Sequence, residues 1–511
     1  MKIEYFPKLD TFRELADRGN LVPVYRELPG DLDTPVSVFL KLGQPAPTFL
    51  LESVEGGEKL GRYSFLGVGH NLLVKASGKR AIIYREGERQ KVDLNGRDCL
   101  HVIEELLAQR QVVRVPGLPR FYGGAVGYVS YDTVRHFEKL PECSHDELGL
   151  PECVFVFTDT MIIFDHVQHK IKIVANTFVD GPVEGAYRKA MAKIDAIAAR
   201  LTKAPAVRPP KINGLKAPAD GTGLESNFTR DGFEKAVLAC KEYIAAGDAF
   251  QIVLSQRLKR QTSAEPLAIY RALRMLNPSP YMFFLDLGDF QLIGSSPEML
   301  VKVENGVAET CPIAGTRPRG RTDEEDESLA AELLADPKEK AEHAMLVDLA
   351  RNDLGRVCQP GSMRVPVQMK VEKYSHVMHM VSTVEGRLKQ SENAFGLLRA
   401  AFPAGTLTGA PKIRAMEIIT ELEDLKRGPY GGAVGYFSYD GNMDTCITIR
   451  TIVMVGNTVY LQAGAGIVYD SDPASEYRET LNKLRVLEAA VEAAEEERRA
   501  RSVPETEHSM P

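Results

Sequence analysis

Two Glu-x-x-Glu pairs raise the first chemical question in this sequence. Glu476 and Glu479, followed by Lys483, recur at helical spacing in DPASEYRETLNK, and Glu339 and Glu342 do so in KEKAEHAMLVDLARNDL. Residues at these spacings share a helix face. Each pair therefore presents oxygen ligands on one side of a helix, and both together could hold one hard divalent cation with some water retained. Either pair alone is an ordinary solvated face. Gly405 to Lys412, GTLTGAPK, is not a nucleotide loop, because Ala410 and Pro411 separate Gly409 from Lys412 where Gly-Lys-Ser/Thr is required. Gly464-Ala465-Gly466 follows a strand-like run and offers backbone N–H groups to an anion. Pro312 to Thr316, PIAGT, runs into Arg317, Arg319 and Arg321, a basic loop whose plain interpretation is a solvated turn. The HxxH pairs His166/His169 and His376/His379 lack the HExxH context of a zinc site. The first pair lies in a turn-like stretch and reads as structural. The second lies in an apolar one, where an imidazole suits acid–base work. No GxSxG, GxGxxG or kinase motif set occurs.

These residues need elements to carry them. Asp472-Pro473 is a helix start, an acceptor followed by proline at the first helical position, and Tyr477, Leu481, Leu484, Leu487 and Val491 continue an apolar stripe. Helical patterns also cover Asp98 to Gln109, Tyr187 to Leu201, Asp326 to Leu334, Lys338 to Asp353 and Ala394 to Ala401, with another from Thr229 to a stop at Gly247. Short β-rich runs occupy Ala81 to Arg85, Val154 to Phe157, Met161 to Phe164, Ile171 to Val174 and Thr458 to Gln462. Strands that follow one another without an intervening helix pair antiparallel, so the expected fold class is α+β. An internal repeat stands out: YGGAVGYVSYD (122–132) and YGGAVGYFSYD (430–440) are identical at ten of eleven positions. It implies matching strands whose glycines admit close backbone approach.

The chain of 511 residues, 44% apolar and 26% charged, can bury a substantial core. The expected division is an N-terminal subdomain (1–202), a Pro/Gly-rich linker (203–226), a C-terminal domain (227–496) and a flexible tail (497–511). A net charge of −7 disfavours nucleic-acid and membrane-surface partners. Seven scattered cysteines without a CxxC, no signal-peptide pattern and no long apolar run imply a reducing, cytoplasmic setting.

Nine segments in order resemble the chorismate-utilising enzymes, and within them most closely the large, aminating subunits of anthranilate synthases. They are GDAFQIVLSQR, NPSPYMFF, SSPEML, CPIAGTRPRGR, EHAMLVDLARNDLGRV, YSHVMH, GTLTGAPK, YGGAVGYFSYD and QAGAGIVYDSDPASEYRETLNK. The resemblance implies two intertwined subdomains with mainly antiparallel sheets packed face to face and helices outside. Where isochorismate-forming relatives carry a lysine that activates water, this chain has Gln251, which suits ammonia as nucleophile. Where aminodeoxychorismate synthases have a nucleophilic lysine in PIKGT, this chain has Ala314.

The resemblance further implies an Mg2+-dependent conversion of chorismate and ammonia to anthranilate and pyruvate by way of 2-amino-2-deoxyisochorismate. Glu342 and Glu479 resemble direct Mg2+ ligands, and Glu339 and Glu476 resemble outer-shell carboxylates. Glu298 resembles the general acid for the departing 4-hydroxyl, and His379 the group assisting the later proton abstraction. Gly315, Thr316, Tyr430, Arg450, Gly464, Ala465, Gly466 and Lys483 resemble chorismate contacts. Glu52, Ser53, Pro280, Tyr281 and Met282 resemble a tryptophan feedback site, with the Glu52 carboxylate and Ser53 hydroxyl available to an amino group. None of the seven cysteines has the glycine-flanked context of a glutaminase nucleophile, so ammonia is expected from a separate glutamine amidotransferase subunit. The alternatives are an aminodeoxychorismate-type synthase that stops at an aminated intermediate and a non-catalytic tryptophan-binding paralogue.

Overall fold

The longest run rich in valine, isoleucine and phenylalanine becomes a strand, because branched and aromatic side chains pack well on a pleated surface. The run Cys153–Asp165, CVFVFTDTMIIFD, is one continuous strand in which every residue except Asp159 is buried. It joins the two short strands expected around Val154 and Met161, and it pairs with Tyr63–Ser77, Gly124–Val129 and Lys170–Phe178. The computed structural model describes residues 3–53, 61–85, 87–143, 145–202, 223–374 and 377–502. His376 and most of the expected linker lie outside the described residues.

The architecture is α+β with antiparallel strands. Among the described residues every strand pairing is antiparallel, a single parallel bridge between Leu21 and Val112 aside. The two halves of the sequence are interleaved. Thr48–Glu52 pairs with Tyr281–Asp286, and the largest apolar core combines Val22, Phe49 and Ile162 with Phe283, Leu292 and Leu487. Helices cover the strands: Val183–Leu201 lies on Lys170–Phe178, and Pro473–Ser502 packs on Thr458–Ile467 and against Pro266–Leu276. The last helix thus continues past residue 496, where the tail was expected to begin. The end of the expected linker contributes a short strand, Glu225–Ser226, paired with Lys259 and Leu258. Among the described residues no helix is long and apolar enough to cross a membrane.

The sequence repeat is also a structural one. Gly124–Val129 pairs with Ala433–Ser438, so the two copies lie side by side and antiparallel. The register sets Gly127 against Gly435, which are equivalent positions of the two copies, so a local two-fold axis passes between them. A Cβ at Gly127 would lie 1.9 Å from the Val154 carbonyl oxygen, and one at Gly435 would lie 2.1 Å from that of Asp444. Backbone lines both sides, so neither clash relaxes by a rotamer change. We expect Gly127→Ala and Gly435→Ala each to cost about 1–3 kcal/mol of stability, read from denaturant unfolding midpoints. Unchanged midpoints would contradict the close approach.

Candidate active site

The two glutamate pairs sit at similarly built helix starts. Asp336 caps Pro337–Gly355 by accepting from the Lys338 and Glu339 N–H groups, and Asp472 accepts from the Ser475 N–H at the start of Pro473–Ser502. Proline occupies the first position of each. Negative charge is favoured at a helix N-terminus by the macrodipole. Each pair has partners within the protein. The Glu342 Oε1 accepts from the Gln251 side-chain amide at 3.0 Å, and Lys483 Nζ pairs with Glu479 at 2.7 Å. Arg317 reaches Glu339 at 3.1 Å while its other nitrogens hold Glu332 and Asp336. Burial pushes the Glu476 carboxyl up, with the neighbouring Glu479 charge acting the same way.

Arg317 corrects the expectation of a basic turn. Residues Ile313–Pro318 form a strand against Val377–Arg387, and Arg317 is a three-way ionic clamp. Gly315 on this strand has φ +67°, and a Cβ there would meet the Glu339 carboxylate at 3.0 Å and Leu333 at 2.8 Å. Glycine is required for both the conformation and the space. The Gly315 carbonyl and Thr316 hydroxyl each lie 3.1 Å from His379 Nδ1. A carbonyl can only accept, so Nδ1 carries the proton and Nε2 keeps a lone pair for a reacting group. Burial pulls His379 below the usual imidazole range. The imidazole is therefore neutral at pH 7.

Glu298 follows the strand Phe290–Ser296, its backbone carbonyl accepting from the Ile447 N–H at 3.0 Å. Burial raises its carboxyl to about 7, opposed by a hydrogen bond from Thr406 and by the Lys483 and Arg450 charges. Thr406 Oγ1 donates to Glu298 Oε1 at 3.0 Å. Thr406 was missed in the sequence because its partner Glu298 lies 108 residues away and nothing local marks the hydroxyl. Asp353 accepts from Lys412 at 2.8 Å and helps fix that segment. Glu298, Thr406 and Asp353 line a cavity of about 450 Å³ together with Pro312 and Ile447.

Arg450 stands at φ +49°, uncommon for a residue with a side chain. Its guanidinium makes no hydrogen bond or ion pair among the described residues, and burial pulls its pKa down although the Tyr430, Glu479 and Glu298 charges oppose this. Lys483 Nζ also donates to the Gly464 carbonyl at 2.8 Å, and the Tyr430 hydroxyl abuts the Gly464 backbone. Burial raises Tyr430 to about 12. Gly464, Ala465 and Gly466 lie within Thr458–Ile467, paired to Ser255, Leu254 and Val253, rather than after a strand. The Ala465 methyl belongs to an apolar core, so only its backbone can serve a ligand.

Beneath this face lies a buried ion pair that sequence analysis did not find. Arg427 donates to Glu423 at 2.6 and 2.9 Å, to the Leu407 carbonyl at 2.6 Å and to the Val253 carbonyl at 2.8 Å. Glu423 also accepts from the Ser255 N–H and hydroxyl. The guanidinium sits 4.7 Å from the Tyr131 ring and 5.7 Å from that of Tyr430, one from each segment flanking or forming the repeat.

A second cavity, of about 560 Å³, is lined by Glu52, Ser53, Pro280, Tyr281 and Met282, all five residues expected of a regulatory site. Its polar groups differ from the expectation. The Glu52 carboxylate is engaged by Arg274 at 3.0 and 3.1 Å and by the Tyr270 hydroxyl at 2.6 Å. The cavity instead contains Arg120, which donates to Asp444 at 3.1 Å, and Tyr281, whose hydroxyl donates to the other Asp444 oxygen at 3.0 Å.

The donor set suits a hard cation. All four glutamates offer oxygen, and Glu479, Glu342 and Glu339 already hold an ammonium, an amide N–H and a guanidinium. Among the described residues no three Asp, Glu, His or Cys side chains converge closely enough to surround an ion unaided.

Residues 47–489 match the family model for chorismate binding enzymes. Anthranilate synthase component 1 of Acetivibrio thermocellus is 48% identical over 494 residues, spanning 96% of this chain and 99% of that protein. The structure of anthranilate synthase component I from Streptococcus pneumoniae TIGR4 superposes with a TM-score of 0.74 at 37% identity, covering 90% of this chain and 98% of that one. The menaquinone-specific isochorismate synthase of Escherichia coli shares the fold, with a TM-score of 0.68 at 19% identity over 94% of this chain and 98% of its own.

Removing the Thr406 hydroxyl removes a donor that favours the ionised carboxylate. Thr406→Val should raise the Glu298 carboxyl above its value of about 7, measured by pH-difference infrared spectroscopy; a fall or no change would contradict the hydrogen bond.

Proposed function

The chain belongs to the chorismate binding enzyme family, among its anthranilate synthase component I members, and from that premise we propose how it works. It is a carbon–oxygen lyase that converts chorismate to anthranilate. In our reading ammonia is the nucleophile, Mg2+ the cofactor, a glutamine amidotransferase component the ammonia source and tryptophan the feedback inhibitor. The observation that carries this reading is the meeting of a protonatable Glu298 with the Arg450 and Lys483 cations.

Glu342 and Glu479 would hold the ion, with Glu339 and Glu476 behind them, and when bound it supplies Lewis-acid polarisation of the ring carboxylate. Arg450 and Lys483 match the carboxylate charges of the substrate. Ammonia adds at C2, the ring double bonds shift, and the 4-hydroxyl leaves as water with the Glu298 proton. Nitrogen loses one proton, giving 2-amino-2-deoxyisochorismate. His379 Nε2 then takes the C2 proton, the bond from C3 to the enolpyruvyl oxygen breaks and the ring becomes aromatic, and the departing enolpyruvate gains one proton at its methylene carbon to become pyruvate. Gln251, held by Glu342, has no basic lone pair with which to activate water, consistent with amination.

Feedback by tryptophan is supported by the second cavity. Its Arg120–Asp444 pair offers opposite charges to the two ends of an amino acid, and the surrounding apolar residues suit an indole. Tyr281 in this cavity pairs with Ser296, two residues before Glu298.

Purified protein given chorismate, ammonium salt and Mg2+ should produce anthranilate fluorescence that EDTA abolishes and tryptophan suppresses. Chorismate consumption without fluorescence would contradict the second half of the reaction. The acid must be protonated to work, so kcat/KM for chorismate, normalised to free ammonia, should fall as pH rises through about 7. A normalised rate that climbs through this range would remove Glu298 from the acid role.

A further inference from the structure

Lys483 has two claims upon it. Its ammonium is 2.7 Å from Glu479 Oε1 and 2.8 Å from the Gly464 carbonyl oxygen, in the first turns of Pro473–Ser502. The same ammonium acts on Glu298 more strongly than the Arg450 guanidinium does, and both charges favour the ionised carboxylate. Arg450 is unpartnered among the described residues, whereas Lys483 is committed to a carboxylate on its own helix. Four residues of helix separate the pair, so the contact closes without strain.

Building on the proposed function, we propose that Lys483 is an exchangeable occupant of Glu479. In the ion-free protein its ammonium fills the place at the carboxylate that a divalent cation takes on binding. Release from Glu479 then frees Lys483 to face the substrate carboxylate. Ion and substrate thereby reinforce each other through one side chain, in addition to any direct contact between them. By linkage the effect is reciprocal: the ion improves substrate binding by the same factor by which substrate improves ion binding. The neighbouring glutamates do not share this arrangement. Glu342 holds a neutral amide that cannot compete as a charge, and the guanidinium on Glu339 is anchored by two further carboxylates.

The pair is partly exposed, at 32% for Lys483 and 47% for Glu479, so its loss should change an affinity by roughly two- to fivefold rather than by orders of magnitude. The full chain is titrated with Mn2+ alone, following the free ion by electron paramagnetic resonance. Lys483→Met should bind Mn2+ roughly two- to fivefold more tightly than the unaltered protein. Lys338→Met, which removes a charge near Glu476 without freeing a paired carboxylate, should change it less. In EDTA, where there is no turnover, Glu479→Gln should bind chorismate more tightly by calorimetry. Glu476→Gln, losing the same charge without releasing Lys483, should not.

Mn2+ binding by the unaltered protein, with Lys483→Met no tighter than Lys338→Met or with Glu479→Gln no better for chorismate than Glu476→Gln, would overturn the exchange and leave the metal assignment standing. Failure of the unaltered protein to bind Mn2+, with or without chorismate, would overturn both.

Discussion

The Glu423–Arg427 pair is the contact on which the catalytic face rests. Its side chains are 3% and 1% exposed, and four separate pieces of chain end on it. Val253 and Ser255 place the strand that begins at Gln251. Leu407 fixes the segment that aims Thr406 at Glu298. Tyr131 and Tyr430 stack beside the guanidinium and connect it to both repeat copies. A buried pair of this kind contributes little by itself relative to apolar packing, but removal of one partner leaves an uncompensated charge and costs about 3–5 kcal/mol. What it secures is relative position, since elements distant in sequence must meet at one carboxylate and one guanidinium.

Above this foundation, burial and charge act against each other to set the chemistry. Desolvation lifts Glu298 to about 7, and Arg450, Lys483 and Thr406 keep it from rising further. The result is a carboxyl group that can both donate and recover a proton near neutrality. His379 is shifted by burial in the opposite sense, which keeps it neutral and able to accept. Burial thus moves the two groups in opposite senses, against the order in which glutamate and histidine ordinarily titrate. The glycines at Gly127 and Gly435 serve the same end from below, allowing two copies of one strand to approach until the halves of the chain form a single body.

Much of this was legible from residue types and order. The Asp472-Pro473 helix start, the Ala394–Ala401 helix and the antiparallel preference were visible because each depends on neighbours in sequence. The residues expected at a substrate and metal site came from resemblance, and the fold brings Glu298, Tyr430, Arg450, Gly464 and Lys483 to one face. What escaped notice depends on long-range encounters. Arg317 looks like a solvated turn residue until Glu332, Asp336 and Glu339 arrive from two helices. Glu52 looks available until Arg274 and Tyr270 claim it. The pairing of Gly127 with its own counterpart was hidden as well, since a repeat in sequence carries no statement about register.

The central claim is that the two helix starts form one cation site completed by release of Lys483. Its most direct test is anomalous diffraction from crystals containing Mn2+ and benzoate as a stand-in for the ring carboxylate. The account predicts one anomalous peak between the Glu342 and Glu479 carboxylates, with the Lys483 ammonium moved away from Glu479. A peak elsewhere, or an intact Lys483–Glu479 pair with no peak between the helices, would contradict it.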